Sequence, residues 1–393
     1  MGSNSNRFAL LFGGLIFLST FSGAILAANK PEFLFSRFPH LTTILYSMFD
    51  ISAYLSYFVG IFLGIFSDFK KERKLFIVVG SVGSVFGLYL LIVLQNYYLL
   101  LLVRFVEGIF SIMIWQSLMV LNLDYSNDTN RAKNMGILGV SLGSAMAFGT
   151  MAGGFIALNG INAPYYVAIG LRACVGILAL WNIKNPEHIS KRVPLKESIL
   201  LLKSQPRLVV PSIFNLVDRL HMGFIVLIIP LFIVETFGMD TAFRGMMLGI
   251  LNIPALLMMY PIGKKSDRDW GRFKPLIIGS LGYGLSLTLT GILGQISIGM
   301  FIILLLFQGL FSGFTTAPAS ALVGDLVEEE HNGMGIALFN FLGNVGIVLG
   351  PIVGGVIVQF YGFAFAFIIA GLIELISLGV NVLLAKKMEF IHF

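Results

Sequence analysis

Twelve stretches of the chain, at about 7–28, 43–66, 75–95, 97–121, 135–158, 164–183, 209–236, 244–263, 275–294, 297–322, 333–359 and 364–385, are almost continuously apolar. A hydrocarbon layer about 30 Å thick is crossed by a helix of about 20 residues, so each stretch has the length of a membrane span. Composition agrees: only 12% of residues are charged and 57% are hydrophobic, against roughly 25% charged in soluble domains. Too few charges remain to cover a water-facing surface, which excludes a soluble enzyme, a disordered chain and a nucleic-acid reader. The first stretch is too long for a signal peptide and lacks a small-residue cleavage site, so it reads as a retained helix. The single cysteine, Cys174, has no partner for an internal disulfide. Lying in an apolar run, it is expected to fill space between helices.

Orientation follows from the loops. Lys and Arg concentrate on the side that carries both termini: Arg7, Lys70–Lys74, Arg131 and Lys133, Lys184–Arg207, Lys264–Lys274 and Lys386–Lys387 supply 20 of the 26 basic residues. The opposite side has three, Lys30, Arg37 and Arg244, and three more, Arg104, Arg172 and Arg219, fall inside spans. Basic loops stay in the cytoplasm, which predicts a multi-pass protein of the plasma membrane with cytoplasmic N and C termini. The net charge of +6 is thereby a topology signal and needs no nucleic-acid partner.

The chain also repeats itself. Gly64-x3-Asp68 with its trailing basic residues returns as Gly263-x3-Asp267, Glu107-Gly108 as Gln308-Gly309, Met135-Gly136 as Met334-Gly335 and Gly153-Gly154 as Gly354-Gly355, at a constant offset of 199 or 201 residues. Six spans per repeat is an even number, so the two copies have parallel topology. This predicts two six-helix bundles, residues 1–183 and 209–393, joined by a cytoplasmic linker at 184–208. Within the linker, residues 194–203 have the pattern of a short interfacial helix with a proline near its start. Two parallel repeats describe a secondary transporter whose site is expected at mid-membrane, where the bundles meet.

The repeated Gly-x3-Asp loop resembles the signature loop of the major facilitator superfamily (MFS), and the resemblance covers essentially the whole chain. It implies an all-α, twelve-span fold of two parallel six-helix repeats and transport by alternating access. The second copy of the loop has one extra residue before Gly271. The first copy has Phe69 where the family usually has Arg and Lys71 where it usually has Gly. Arg104-x3-Gly108 in the fourth span resembles the family's motif there. Gly139, Gly143, Gly149, Gly153 and Gly154 in the fifth span resemble the glycine-rich motif of drug/proton antiporters, with Gly149-Thr150 in place of Gly-Pro. The intact form, Gly346-x3-Gly350-Pro351-x2-Gly354-Gly355, stands in the eleventh span instead.

Asp68 and Asp267 sit among cations at cytoplasmic helix ends. With Gly64, Arg73, Gly263, Arg268 and Arg272 they read as conformational gates, carboxylates that hold basic groups or a helix N-terminus in one state and release them in another. The glycines then let a helix of the opposite half come close. The alternative is that the charges only mark topology. Ionisable groups deep within spans say more, because each is costly unless paired or solvated. Arg104 and Glu107 are three residues apart and able to pair within their helix, and Ser111 and Trp115 continue that face. Asn215, Asp218 and His221 form one polar face of the seventh span, with Arg219 turned about 100° away. Glu107 and Asp218 both lie roughly 15 Å from a membrane surface at 1.5 Å per residue. In the resembled family spans one, four, seven and ten line the cavity. That implies solute contact or proton carriage for these faces, with a structural ion pair between the halves as the alternative. Gln308, Asn340 and Asn344 are candidates for neutral hydrogen bonds to a solute, or for joining helices. Asp50 is a candidate for an outer gate, Arg172 and Glu374 are expected to be structural or lipid-snorkelling, and Glu235 is expected to be wet.

No P-loop or HExxH motif occurs, no nucleophile elbow is expected, and no enzyme, cofactor or metal is expected. The leading expectation is a monomeric, proton-coupled carrier exporting amphipathic or drug-like compounds, with lipid around it, Glu107, Arg104 and Asp218 handling protons, and 36 phenylalanines available for apolar contacts. The alternatives are an importer or facilitator of a small polar metabolite, such as a sugar or organic anion, favoured by the intramembrane arginines, and a membrane enzyme or sensor.

Overall fold

A backbone N–H or C=O left without a partner in hydrocarbon costs several kcal/mol, so segments this apolar satisfy their peptide groups within helices. The computed structural model describes residues 2–70, 72–126, 130–185, 201–328 and 332–388, and no strand occurs among them. In order, the helices are α1 (Gly2–Ala24), the short α2 (Lys30–Phe35), α3 (Thr43–Lys70), α4 (Arg73–Val93), α5 (Tyr97–Asp124), α6 (Arg131–Ala157), α7 (Ala163–Asn182), α8 (Val209–Phe237), α9 (Thr241–Lys265), α10 (Phe273–Leu293), α11 (Ile298–Ser312), α12 (Thr316–Leu326) and α13 (Asn332–Lys387). Among the described residues, nine helical stretches of 20 to 55 residues have the length and hydropathy of membrane spans. The longest has room for two passes, because Gly362, at φ 81° and ψ 175°, interrupts α13. Only glycine enters that region without strain. Side-chain caps start two of the helices: Asn96 accepts from Leu99 N before α5, and Ser297 accepts from Met300 N before α11.

Two expectations need correction. The apolar run 297–322 is not one helix but α11 and α12, separated by a tight turn at Gly313–Thr315. Pro318 has no N–H to offer the carbonyl of Phe314, and Phe314 and Thr315 bond three residues back instead of four. Cys174 is exposed on the outside of α7 and fills no gap between helices, because periodicity assigns residues to faces without saying which face is covered. The segment 186–200, with most of the expected interfacial helix, lies outside the described residues.

By internal packing the chain forms two compact units. The first takes in Met1–Leu41, Met48–Arg192 and Met239–Gly249; the second takes in Thr42–Ser47, Val193–Gly238 and Ile250–Phe393. In the first unit α6 lies against α1, and a Cβ at Gly149 would stand 2.8 Å from that of Ala24. A core of Phe12, Ile16, Ile77, Ile114, Leu118 and Val175 joins α1, α4, α5 and α7. In the second unit α8 lies along α13, where a Cβ at Gly350 would meet Phe224 N at 2.6 Å. Large apolar side chains such as Phe62, Trp181 and Tyr260 stay exposed, as a lipid-facing surface requires.

Candidate functional site

Glu107 owes its surroundings to small residues on α4. A Cβ at Gly87 would stand 2.8 Å from that of Glu107, so glycine there lets α5 close in, and Ser84 one turn earlier reaches the carboxylate. Ser84 Oγ donates to Glu107 Oε1 at 2.8 Å and Ser111 Oγ donates to the same oxygen at 2.7 Å. Arg104 Nη1 donates to Oε2 at 2.6 Å from one turn away on the same helix. Arg172 on α7 enters from behind, donating from Nη1 to Ser19 Oγ at 2.6 Å and from Nη2 to Ser111 Oγ at 2.9 Å. Ser111 therefore links the second guanidinium to the carboxylate. Arg172 and Glu107 are buried, and two arginines face a single glutamate. Of the two roles expected for Arg172, lipid snorkelling is excluded: its guanidinium is tied to α1 and α5.

In the second unit Asp218 is half-buried and accepts from Thr315 Oγ1 at 3.2 Å. Three other residues expected to meet a solute are turned into the unit. Asn215 Nδ2 donates to Phe339 O at 2.7 Å, Gln308 Nε2 donates to Thr290 Oγ1 at 2.8 Å, and His221 is held between Ala370 O and Glu374. Pattern alone cannot separate a polar residue that joins helices from one that meets a ligand. Asn340 is exposed, while Asn344, Ser111 and Trp115 are half-buried. Glu374 is no more lipid-snorkelling than Arg172, and Glu235 is exposed as expected.

The two copies of the signature loop have matching geometry. In the first unit Arg73 is fully buried, with Nε 3.5 Å from Asp124 Oδ2 and Nη1 donating to Ser67 Oγ at 3.0 Å. In the second, Arg272 Nε donates to Asp325 Oδ2 at 2.6 Å, and Nη1 donates to Ser266 Oγ at 3.3 Å and to Asp267. Donating to the carboxylates of Asp325 and Asp267 raises the Arg272 guanidinium above the usual arginine range. Asp124 and Asp325 were missed in the sequence, although they stand 201 residues apart, at the repeat offset. The extra residue before Gly271 is absorbed by a π-turn over Ser266–Trp270, followed by Gly271 at φ 64°. Arg268 is exposed. A Cβ at Gly263 would meet only Ala317 Cβ, at 3.7 Å, so close approach does not explain that glycine here. The surroundings of Gly64 and the side chain of Asp68 lie outside what the structure describes.

At the opposite end of the first unit Lys30 pairs with Asp50, both buried. Burial pulls the Lys30 ammonium below the ordinary lysine range, and Asp50 opposes that shift. The fully buried Arg244 donates from Nε to Ala28 O at 3.0 Å and from Nη2 to Glu32. Thr241 Oγ1 donates to Gly154 O at 3.0 Å. Gly139-Val140-Ser141-Leu142-Gly143 spells a nucleophile-elbow pattern, but it lies inside α6 rather than on the strand-to-helix turn such an elbow needs.

The sequence model of the Major Facilitator Superfamily matches residues 12–217 and again 212–389. An uncharacterised MFS-type transporter of Methanocaldococcus jannaschii is 25% identical over 174 residues, 44% of this chain and 43% of that protein. The multi-drug resistance efflux pump PmrA of Streptococcus pneumoniae is 27% identical over 161 residues, 40% of this chain and 39% of the pump. The chain thus spans less than half the length of these curated relatives. Among solved structures, the nucleoside transporter NupG superposes with a TM-score of 0.77 at 13% identity, covering 96% of this chain and 99% of that one, which speaks to the fold alone.

Proposed function

The chain belongs to the Major Facilitator Superfamily, and on that premise we propose that it is a proton-coupled secondary transporter exporting amphipathic, drug-like compounds. It is a transporter and not an enzyme, and its substrate is a small molecule. The observation that carries the coupling is the buried Glu107 carboxylate, gripped by Arg104 on its own helix and, through Ser111, by Arg172. A carboxylate whose cation contacts change between two conformations takes up a proton in one and releases it in the other. The partial likeness to an efflux pump supports export. Asp218, half-buried, is the residue assigned to direct solute contact. A second reading, uptake of a small organic anion, draws on the two guanidiniums set against one carboxylate in the first unit. The test is transport into everted vesicles against a broad solute panel, with and without a pH gradient. Accumulation of amphipathic cations or neutral compounds only when the gradient is present supports the first reading. Transport that ignores a collapsed gradient overturns it in favour of a facilitator.

The proposed topology has twelve passes, one six-helix bundle at 1–183, a second at 209–393, and both termini in the cytoplasm with the loops at Lys70–Lys74 and Lys264–Lys274. Single cysteines placed there in a Cys174→Ala background are expected to resist an impermeant thiol reagent in intact cells and to react in everted vesicles. Labelling from outside reverses the orientation.

Asp267 is proposed as a latch. It shares Arg272 with Asp325, and both carboxylates are largely exposed, so losing one costs at most about 1 kcal/mol of stability. Asp267→Asn is expected to slow transport several-fold while leaving solute affinity within about twofold, that is within about 0.4 kcal/mol. A collapse of affinity with normal turnover contradicts the latch.

A further inference from the structure

Asp218 and His221 share a face of α8, yet His221 is not offered to the outside of its unit. Its Nε2 lies 2.9 Å from the carbonyl oxygen of Ala370 and its Nδ1 lies 3.2 Å from Glu374 Oε2. The histidine is 1% exposed and Glu374 6%. A carbonyl oxygen only accepts, so Nε2 carries a hydrogen. Neutral imidazole has a single N–H, and with that hydrogen on Nε2 the bare Nδ1 would stand without a hydrogen-bond partner beside a carboxylate oxygen in a dry interior. Burying two acceptors against each other is strongly unfavourable. One further proton removes the conflict, whether it sits on Nδ1 or on Glu374 Oε2.

We infer that His221 and Glu374 form a proton-binding dyad that holds one proton beyond a neutral imidazole and a free carboxylate. The internal repeat supports the donor assignment. Ser22 and Ala168 stand at the equivalent places of the first repeat, 199 and 202 residues earlier, and there Ser22 Oγ donates to Ala168 O at 3.2 Å. The donor-to-carbonyl link is thus common to both repeats. In the second repeat the donor is a histidine, whose other nitrogen meets a glutamate where the first repeat has Arg172. The surrounding groups make the same demand. Asp218 and Arg219 come from α8, Glu374 from α13, and Tyr283 from α10 with its ring 5.3 Å from the imidazole. Thr315, from the turn before α12, holds Asp218. Two carboxylates against one guanidinium leave a negative charge within the spans, which is expensive there, and the dyad proton cancels it. In a proton-driven carrier this dyad is a second proton acceptor alongside Glu107. That last step rests on the transport reading, whereas the protonation itself does not.

The test is made on the full chain in lipid nanodiscs at neutral pH without solute. Replacing His40, His188, His331 and His392 by glutamine leaves His221 as the only histidine, and nitrogen-15 NMR then reports whether Nδ1 is protonated or bare. Infrared spectroscopy reports whether Glu374 is a carboxylic acid. The dyad predicts either both ring nitrogens protonated with Glu374 ionised, or a bare Nδ1 with a carboxylic-acid band. That band would be lost in Glu374→Gln and shifted in Glu374→Asp, the second variant serving if the first does not fold. A bare Nδ1 beside an ionised Glu374 overturns the inference. A chain that accumulates nothing on a pH gradient would refute the transport reading and leave this measurement unaffected.

Discussion

Gly346→Leu is expected to leave little or no monodisperse protein after extraction in mild detergent. A side chain at Gly346 would run into the carbonyl of Leu216, and its Cβ would also stand 3.1 Å from Leu220 N, so the obstacle is the α8 backbone rather than a movable side chain. Overpacking a core ordinarily costs about 1–3 kcal/mol, and here no rotamer change relieves it, so about 3 kcal/mol or more is expected. That is a large part of a total stability of about 5–15 kcal/mol. Gly139 is the control. It belongs to the same class of span glycines, but a Cβ there meets nothing within 4 Å, and Gly139→Ala is expected to be neutral or to stabilise by up to about 1 kcal/mol. Size-exclusion chromatography after stepwise heating reads both. A Gly346→Leu protein that survives like wild type means that α8 and α13 do not pack in this way.

Glu107→Gln is expected to abolish accumulation driven by a pH gradient while permitting solute exchange. Glutamine keeps the shape but removes the charge that Arg104 and Arg172 face. Breaking a buried ion pair by removing one partner costs about 3–5 kcal/mol, so the single variant should also lose thermal stability. The Arg104→Gln/Glu107→Gln double variant separates the two effects. It removes a cation together with the anion and should recover much of the stability, because the two residues are directly coupled. It should still fail to accumulate solute. Gradient-driven accumulation by the double variant at wild-type level would take the coupling role away from Glu107. Faster accumulation of an organic anion by the single variant would favour the anion reading.

Much of the architecture was legible in the residues because it depends on local quantities. Apolar length decides whether a segment can cross a membrane, and the constant offset between Gly64 and Gly263, or Gly153 and Gly354, exposes the repeat whatever the packing. The Arg104–Glu107 pair was also legible, since three residues along a helix is a contact that needs no tertiary structure. The partners of Arg73, Arg272 and His221 were not. Asp124, Asp325 and Glu374 lie 51, 53 and 153 residues further along the chain, and helical periodicity fixes which residues share a face but not what that face meets. The same gap sent Cys174 inward and left lipid snorkelling open beside a structural role for Arg172 and Glu374. It also left Asn215 and Gln308 as groups for a solute, when a neighbouring carbonyl and a hydroxyl take them up. Residue order and apolar length were enough to establish a helical, membrane-spanning and internally duplicated chain. Which buried charges neutralise one another was settled by the packed fold, because that depends on how each helix is rotated against its neighbours, and the rotation is set by contacts far apart in the chain.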